Sequence, residues 1–155
     1  MRLFTGVFPP ADVVADLADA LRAARAAHPD LRWSAPDRWH ITLRFHGDDA
    51  EPAGLLDALR GLPAPRVALT SSGTFPGVLW MGVRGPLRPL AEATGATGDW
   101  RPHLTVARAR RRGDRLPHVD FDGREWTVTE VALVRSCPST GYEVLDRVPL
   151  TTPNG

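Results

Sequence analysis

The sequence predicts an α+β fold. Two observations carry this. Several segments rich in β-branched and aromatic residues are joined by short connections of Gly, Pro, Ser and Thr, as in hairpins. Only a few segments carry apolar residues at helical spacing, and they are not interleaved one-to-one with the strands. No linker divides the chain, so residues 1–155 are expected to form a single domain.

Each element has its own signal. Leu3 to Phe8 reads as a strand ended by Pro9-Pro10. Asp12 is placed to cap a helix running to about Ala27, with Val13, Val14, Leu17, Ala20, Leu21 and Ala24 on one apolar stripe. His28-Pro29 stops it, and Trp33 to Asp37 is an extended or turning approach. Trp39 to His46 is the clearest strand, and a short helix is expected over Pro52 to Arg60 with Leu55, Leu56 and Leu59 inward. Strands at Arg66 to Ser71 and Val78 to Val83 flank a hairpin connection, Ser72-Gly73-Thr74-Phe75-Pro76-Gly77. Pro86 to Thr94 fits a short helix, Gly95 to Pro102 a loop, His103 to Ala107 a strand and Arg108 to Pro117 a basic loop. Thr127 to Arg135 and Tyr142 to Pro149 are the last two strands, joined through Ser139-Thr140-Gly141.

Composition narrows the function. Hydrophobic residues make up 43% and charged residues 24% of the 155, as in a soluble globular protein with a real core. No apolar run reaches the roughly 20 residues of a membrane span. Met1 to Pro10 lacks a signal-peptide pattern, so a cytoplasmic location is expected. The single cysteine, Cys137, excludes an intramolecular disulfide. It precedes Pro138 in an expected loop with no nearby histidine, which argues against a catalytic thiol. The net charge of +1 does not point to bulk nucleic-acid binding. All 19 basic residues are arginine, which excludes catalytic-lysine and P-loop chemistry and leaves a side chain well suited to phosphate.

One short pattern occurs twice. His40-Ile41-Thr42-Leu43 and His103-Leu104-Thr105-Val106 both read His, apolar, Thr, apolar, and each comes after a proline-containing approach. Side chains alternate along a strand, so His and Thr point to the same face about 7 Å apart. Ile41, Leu43 and Phe45, and in the second copy Leu104 and Val106, are expected to face the core. If the two strands meet across a cleft, two imidazoles and two hydroxyls surround one small volume.

A phosphodiester suits that set. A neutral imidazole can take a proton from water, and a protonated one can give a proton to the leaving alkoxide. Threonine hydroxyls can donate to the non-bridging oxygens, where charge must be stabilised. No metal is required, and no cofactor is expected.

These blocks resemble the two-histidine (2H) phosphoesterase superfamily, in its branch of LigT/ThpR-like RNA 2′,3′-cyclic phosphodiesterases. The likeness runs through Arg2-Leu3-Phe4, Arg32-Trp33 to Gly47, Phe75 to Val83, Pro102 to Arg108, Ser136 and Gly141-Tyr142. It implies a bilobal, pseudo-twofold fold with two antiparallel sheets facing a central cleft and helices outside. It implies hydrolysis of 2′,3′-cyclic phosphate termini of RNA or nucleotides to 2′-phosphomonoesters. It makes His40 the acid, His103 the base, and Thr42 and Thr105 phosphate-binding; the residues themselves do not separate the two histidine roles. The sequence departs from the pattern in a short stretch between Val83 and His103, in Trp100 before the second motif, and at His46.

Strand parity sorts the other candidates. Arg44 shares the face of His40 and Thr42, so it is a possible substrate contact, although a solvated strand-end arginine is the plainer reading. Arg108 has the opposite parity to His103 and reaches substrate only if the strand ends before it. Phe75 and Trp100 are possible base-stacking contacts, as are Trp33, Trp39, Trp80 and Tyr142, though most tryptophans pack a core or rim. His28, His46 and His118 are too dispersed for a zinc site. The run Arg108, Arg110, Arg111, Arg112 and Arg115 reads as a solvated loop, with guidance of an RNA backbone as the alternative. A monomer is expected. Two competing functions remain: another 2H reaction, such as cyclic-nucleotide or oligoadenylate cleavage or 2′-5′ RNA ligation, and a non-catalytic nucleotide- or RNA-binding module.

Overall fold

The computed structural model describes residues 2–48 and 50–152. Nine strands and two α-helices occur among them: β1 (Arg2–Val7), α1 (Ala11–Ala27), β2 (Arg32–Trp33), β3 (Ile41–Gly47), β4 (Arg66–Phe75), β5 (Val78–Arg84), α2 (Arg88–Ala93), β6 (His103–Arg108), β7 (Trp126–Thr127), β8 (Glu130–Cys137) and β9 (Gly141–Pro149). The fold is α+β, as expected.

The strands form one antiparallel sheet in the order β7-β4-β5-β6-β3-β1-β8-β9, with β2 on β6. Its two halves meet at β3 and β6, where the register is carried by one pair, Ile41 with Leu104. Elsewhere neighbouring long strands share five or more pairs. The two expected sheets are therefore two halves of one sheet, joined by a narrow seam.

The helix α1 forms because Val13, Leu17 and Leu21 repeat on one face, and all three are buried. They pack with Ile41, Leu43, Leu104, Val106, Leu133 and others in one large core that underlies both halves of the sheet. A second, small cluster of Phe4, Ala132 and Val134, with Phe8 and Tyr142 against it, lies on the opposite face. Strand β8 shows the alternation directly: Val131 and Leu133 join the large core, Ala132 and Val134 the small one.

Several boundaries differ from the sequence reading. Pro10, not Asp12, is the N-cap of α1; the Asp12 carboxylate instead accepts from the Val13 N–H at 2.8 Å. No α-helix forms over Pro52 to Arg60. Gly54 takes φ +79° there, and only a single 3-10 turn, Asp57–Leu59, comes after it, though Leu56 and Leu59 are buried as expected. Strand β4 runs on to Phe75, so the hairpin turn shrinks to Pro76-Gly77. The strand expected over Thr127 to Arg135 is two strands. Val128 N–H bonds the Pro65 carbonyl at 2.8 Å, and the chain crosses from the β4 half to the β1 half. Cys137 ends β8 rather than lying in a loop.

Candidate active site

The seam places both motifs on one site. With Ile41 opposite Leu104 in an antiparallel pair, His40 lies beside Thr105, and Thr42 beside His103. The two copies are thus related by a pseudo-twofold axis through the seam. A cleft of about 510 Å³ opens there, lined by Trp33, Ser34, Ala35, Arg38, His40, Thr105, Arg108 and Tyr142.

The two imidazoles are held in the same way. His40 Nδ1 lies 2.8 Å from the Arg38 carbonyl oxygen, and His103 Nδ1 lies 2.8 Å from that of Arg101. A carbonyl only accepts, so each Nδ1 carries a hydrogen and each Nε2 is left for chemistry. In both motifs the carbonyl belongs to the residue two positions before the histidine, and the proline-containing approaches supply it.

Aromatic rings set the surroundings of each histidine. Phe4 stacks on His40 with centroids 4.5 Å apart, while Tyr142 meets it edge-on at 5.4 Å and Phe8 flanks it at 5.7 Å. Phe75 meets His103 edge-on at 5.1 Å, and Trp80 lies at 6.1 Å. Trp80 lies over Gly73, where any Cβ would strike its ring. Burial among these rings pulls the His40 pKa below its ordinary value. The Arg38 carbonyl opposes the shift, while the charges of His103 and Arg108 add to it. Burial also raises the Tyr142 pKa, so its phenol stays protonated as a donor, although Arg38 and Arg108 oppose this.

Two β-bulges decide which other side chains reach the cleft. In β3, Gly6 pairs with Thr42 but Thr5 pairs with Arg44, leaving Leu43 as an extra residue. In β6, Trp80 pairs with Thr105 but Leu79 pairs with Ala107, leaving Val106 extra. Each bulge comes directly after the motif threonine and reverses the parity of the residues beyond it. Arg108 therefore joins His103 and Thr105 on the cleft face and lines the cleft. It remains within β6, so its place there owes nothing to the strand ending.

The same slip corrects two expectations in β3. Arg44 does not share the face of His40 and Thr42. It pairs with the buried Thr5 and donates to the Thr94 carbonyl at 3.0 Å, at the end of α2. Phe45 does not face the core. It pairs with Phe4, so it shares the cleft face, and it is 56% exposed. Sequence reasoning missed Phe45. The signal was present only in the repeat itself, since Phe45 and Arg108 stand at the same offset from their histidines.

The other candidates divide between the cleft and the rest of the fold. Phe75 is in the site, beside His103. Trp100 lies outside the cleft lining; its indole donates to the Thr42 carbonyl at 3.2 Å, and Arg88 packs over its ring. Trp33 lines the cleft, with its indole tied to the His28 carbonyl. Trp39 is fully buried. His46 pairs with Thr5 at 2.6 Å, on the side away from the cleft. Among the described residues, no group of three or more His, Cys, Asp or Glu is placed to hold a metal ion.

Comparison with known proteins identifies the family. The family model "LigT like Phosphoesterase" matches residues 7–80. The chain is 32% identical to a Thermus thermophilus RNA 2′,3′-cyclic phosphodiesterase, over all of this chain and 93% of that protein. It is 30% identical to one from Methanothermobacter thermautotrophicus, over 81% of this chain and 82% of that protein. Among solved structures, a Thermus thermophilus protein superposes with a TM-score of 0.79 at 30% identity, covering 96% of this chain and 97% of that one. E. coli LigT complexed with 3′-AMP superposes with a TM-score of 0.77 at 29% identity, covering 97% and 98%. With two histidines anchored alike at the seam and a relative matched along its whole length, the chain belongs to the LigT-like two-histidine phosphoesterases.

Proposed function

We propose that this protein hydrolyses 2′,3′-cyclic phosphate ends of RNA or nucleotides to 2′-phosphomonoesters. The reading rests on one observation above the rest: two imidazoles, each anchored through Nδ1 to a carbonyl, flank the Ile41–Leu104 seam, beside a cleft lined by His40, Thr105 and Arg108. The names of the relatives support it.

The cyclic phosphate sits across the Ile41–Leu104 seam. His103 Nε2 takes a proton from a water whose oxygen attacks phosphorus. The bond from phosphorus to O3′ breaks, and His40 Nε2 gives its proton to O3′. The products are a 2′-phosphate and a free 3′-hydroxyl. Thr42 and Thr105 donate to the non-bridging oxygens, and Arg108 offers its fork to the charge that builds on them. No step in this scheme needs a metal.

The His40 environment fits an acid that loads with the substrate. Burial disfavours its charged form in the free protein, and an anionic phosphate beside it favours the imidazolium. Phe45, exposed on the cleft face beside Phe4, is the surface on which the terminal base stacks.

Incubation of the purified protein with a 2′,3′-cyclic nucleotide and a cyclic-ended oligoribonucleotide, both in EDTA, tests the reading. A 2′-phosphate product is expected from at least one. A folded protein that leaves both untouched, or one that needs added metal, overturns it.

A further inference from the structure

Among the described residues, six arginines pair with carboxylates, and a consecutive run next to the cleft does not. Away from the cleft, Arg22, Arg60, Arg66, Arg124, Arg135 and Arg147 each pair with a carboxylate. At the cleft end, Arg108, Arg110, Arg111 and Arg112 form no ion pair among the described residues. Arg110, Arg111 and Arg112 are consecutive, and with Arg108 they put four such guanidinium groups within five residues.

The loop that carries three of them is built rather than slack. One oxygen of the Asp114 carboxylate accepts from the N–H groups of Arg110 at 3.0 Å and Arg111 at 2.9 Å. The Asp114 carboxylate is therefore engaged by backbone rather than by the guanidinium groups. Ala109 N–H bonds the Gly77 carbonyl at 2.9 Å, which ties the loop to the β4–β5 turn. Between that turn and the loop runs a depression of about 460 Å³, lined by Pro76, Gly77 and residues 109–114. The three arginines are exposed along it. Its lining begins at Ala109, next in the chain to Arg108, which ends β6 and lines the cleft. A second depression beside Arg110 and Arg111 contains Asp30, which would repel an anion, so the path for phosphate lies on the Pro76-Gly77 side.

We infer that Arg110, Arg111 and Arg112 bind backbone phosphates of the RNA chain leading into the site, so that the preferred substrate is the end of an oligoribonucleotide rather than a free cyclic mononucleotide. This rests on the cyclic-phosphate reading of the cleft. The surface carries no ring stack or side-chain amide to read bases, so it grips any sequence. Its contribution is electrostatic and falls with salt.

The test compares a cyclic-ended ten-nucleotide RNA with a 2′,3′-cyclic mononucleotide, in the native protein and in the triple variant Arg110→Gln, Arg111→Gln, Arg112→Gln. The native protein should favour the RNA at least tenfold in kcat/KM. The variant should lose about tenfold on the RNA through KM, with kcat kept, and stay within twofold on the mononucleotide. Three lost single-strand phosphate contacts should flatten the dependence of log kcat/KM on log salt by about 2. The corresponding triple lysine variant should keep most of the slope. Equal native rates on both substrates, or a variant that loses equally on both or on neither, overturn the inference. Fluorescence anisotropy with a 2′-phosphate-ended RNA reads the track without turnover. If neither substrate is cleaved but the variant still weakens RNA binding tenfold, the activity reading fails and the track stands. If binding is also unchanged, the track fails as well.

Discussion

Ile41 faces Leu104 across the seam, and this pair sets where His40 and His103 stand relative to each other. Both side chains are fully buried. Leu104→Ala should destabilise the fold by about 2–5 kcal/mol through lost burial and a residual cavity. It should also lower kcat under conditions where the variant remains folded, because the seam carries the alignment. Urea denaturation and single-turnover kinetics measure the two effects; unchanged kcat in a folded variant would show that the alignment comes from elsewhere.

Removal of either imidazole, in His40→Ala or His103→Ala, should reduce turnover by about 10²–10⁴-fold, the usual worth of a positioned acid or base. The roles separate with a substrate whose 3′ bridging oxygen is sulfur, a leaving group that needs little protonation. His40→Ala should regain most of its rate on it, and His103→Ala should not. The reverse pattern would exchange the two assignments.

Phe45 gives a contrast between two accounts of one residue. A core phenylalanine changed to alanine would cost about 3–5 kcal/mol. At its exposed position on the face of the sheet that carries the cleft, Phe45→Ala should leave the melting temperature within a few degrees and raise KM several-fold, while Phe45→Trp keeps KM low. Thermal melts beside steady-state kinetics decide between them.

Stability should depend on pH through two histidines. Burial lowers the pKa of His40, and burial together with the Arg44 charge lowers that of His46. A group whose pKa is depressed on folding binds protons more readily when unfolded. Stability should therefore be full above about pH 6.5 and fall as the pH drops through the depressed values. Melting curves between pH 5 and 8 test this, and His46→Gln should flatten part of the fall.

Much of the site was legible in the sequence because it depends on period alone. His40 with Thr42, and His103 with Thr105, need only the two-residue alternation of a strand. The core faces of α1 and β8 come from spacing in the same way. Arg44, Phe45 and Arg108 were misread because each lies beyond a bulge, and a bulge is a pairing between strands with no local mark in composition. The helix expected over Pro52 to Arg60 failed on a local conflict, since Gly54 adopts a left-handed turn that no helix continues through. The break at Val128 could not be seen, because its cause is a hydrogen bond to Pro65, a residue far away in the chain.

The paired bulges also bear on how this chain can change over generations. A one-residue deletion at Leu43 or Val106 would remove the bulge there, and the side chains that come next would turn over. Phe45 or Arg108 would swing inward while an apolar neighbour took its place outside. Such losses should be purged however mild they look by residue count. The arginine loop after β6 lies outside any ladder, so insertions there shift no register. Length variation among descendants of this sequence should therefore collect beyond Arg108 and stop abruptly at it.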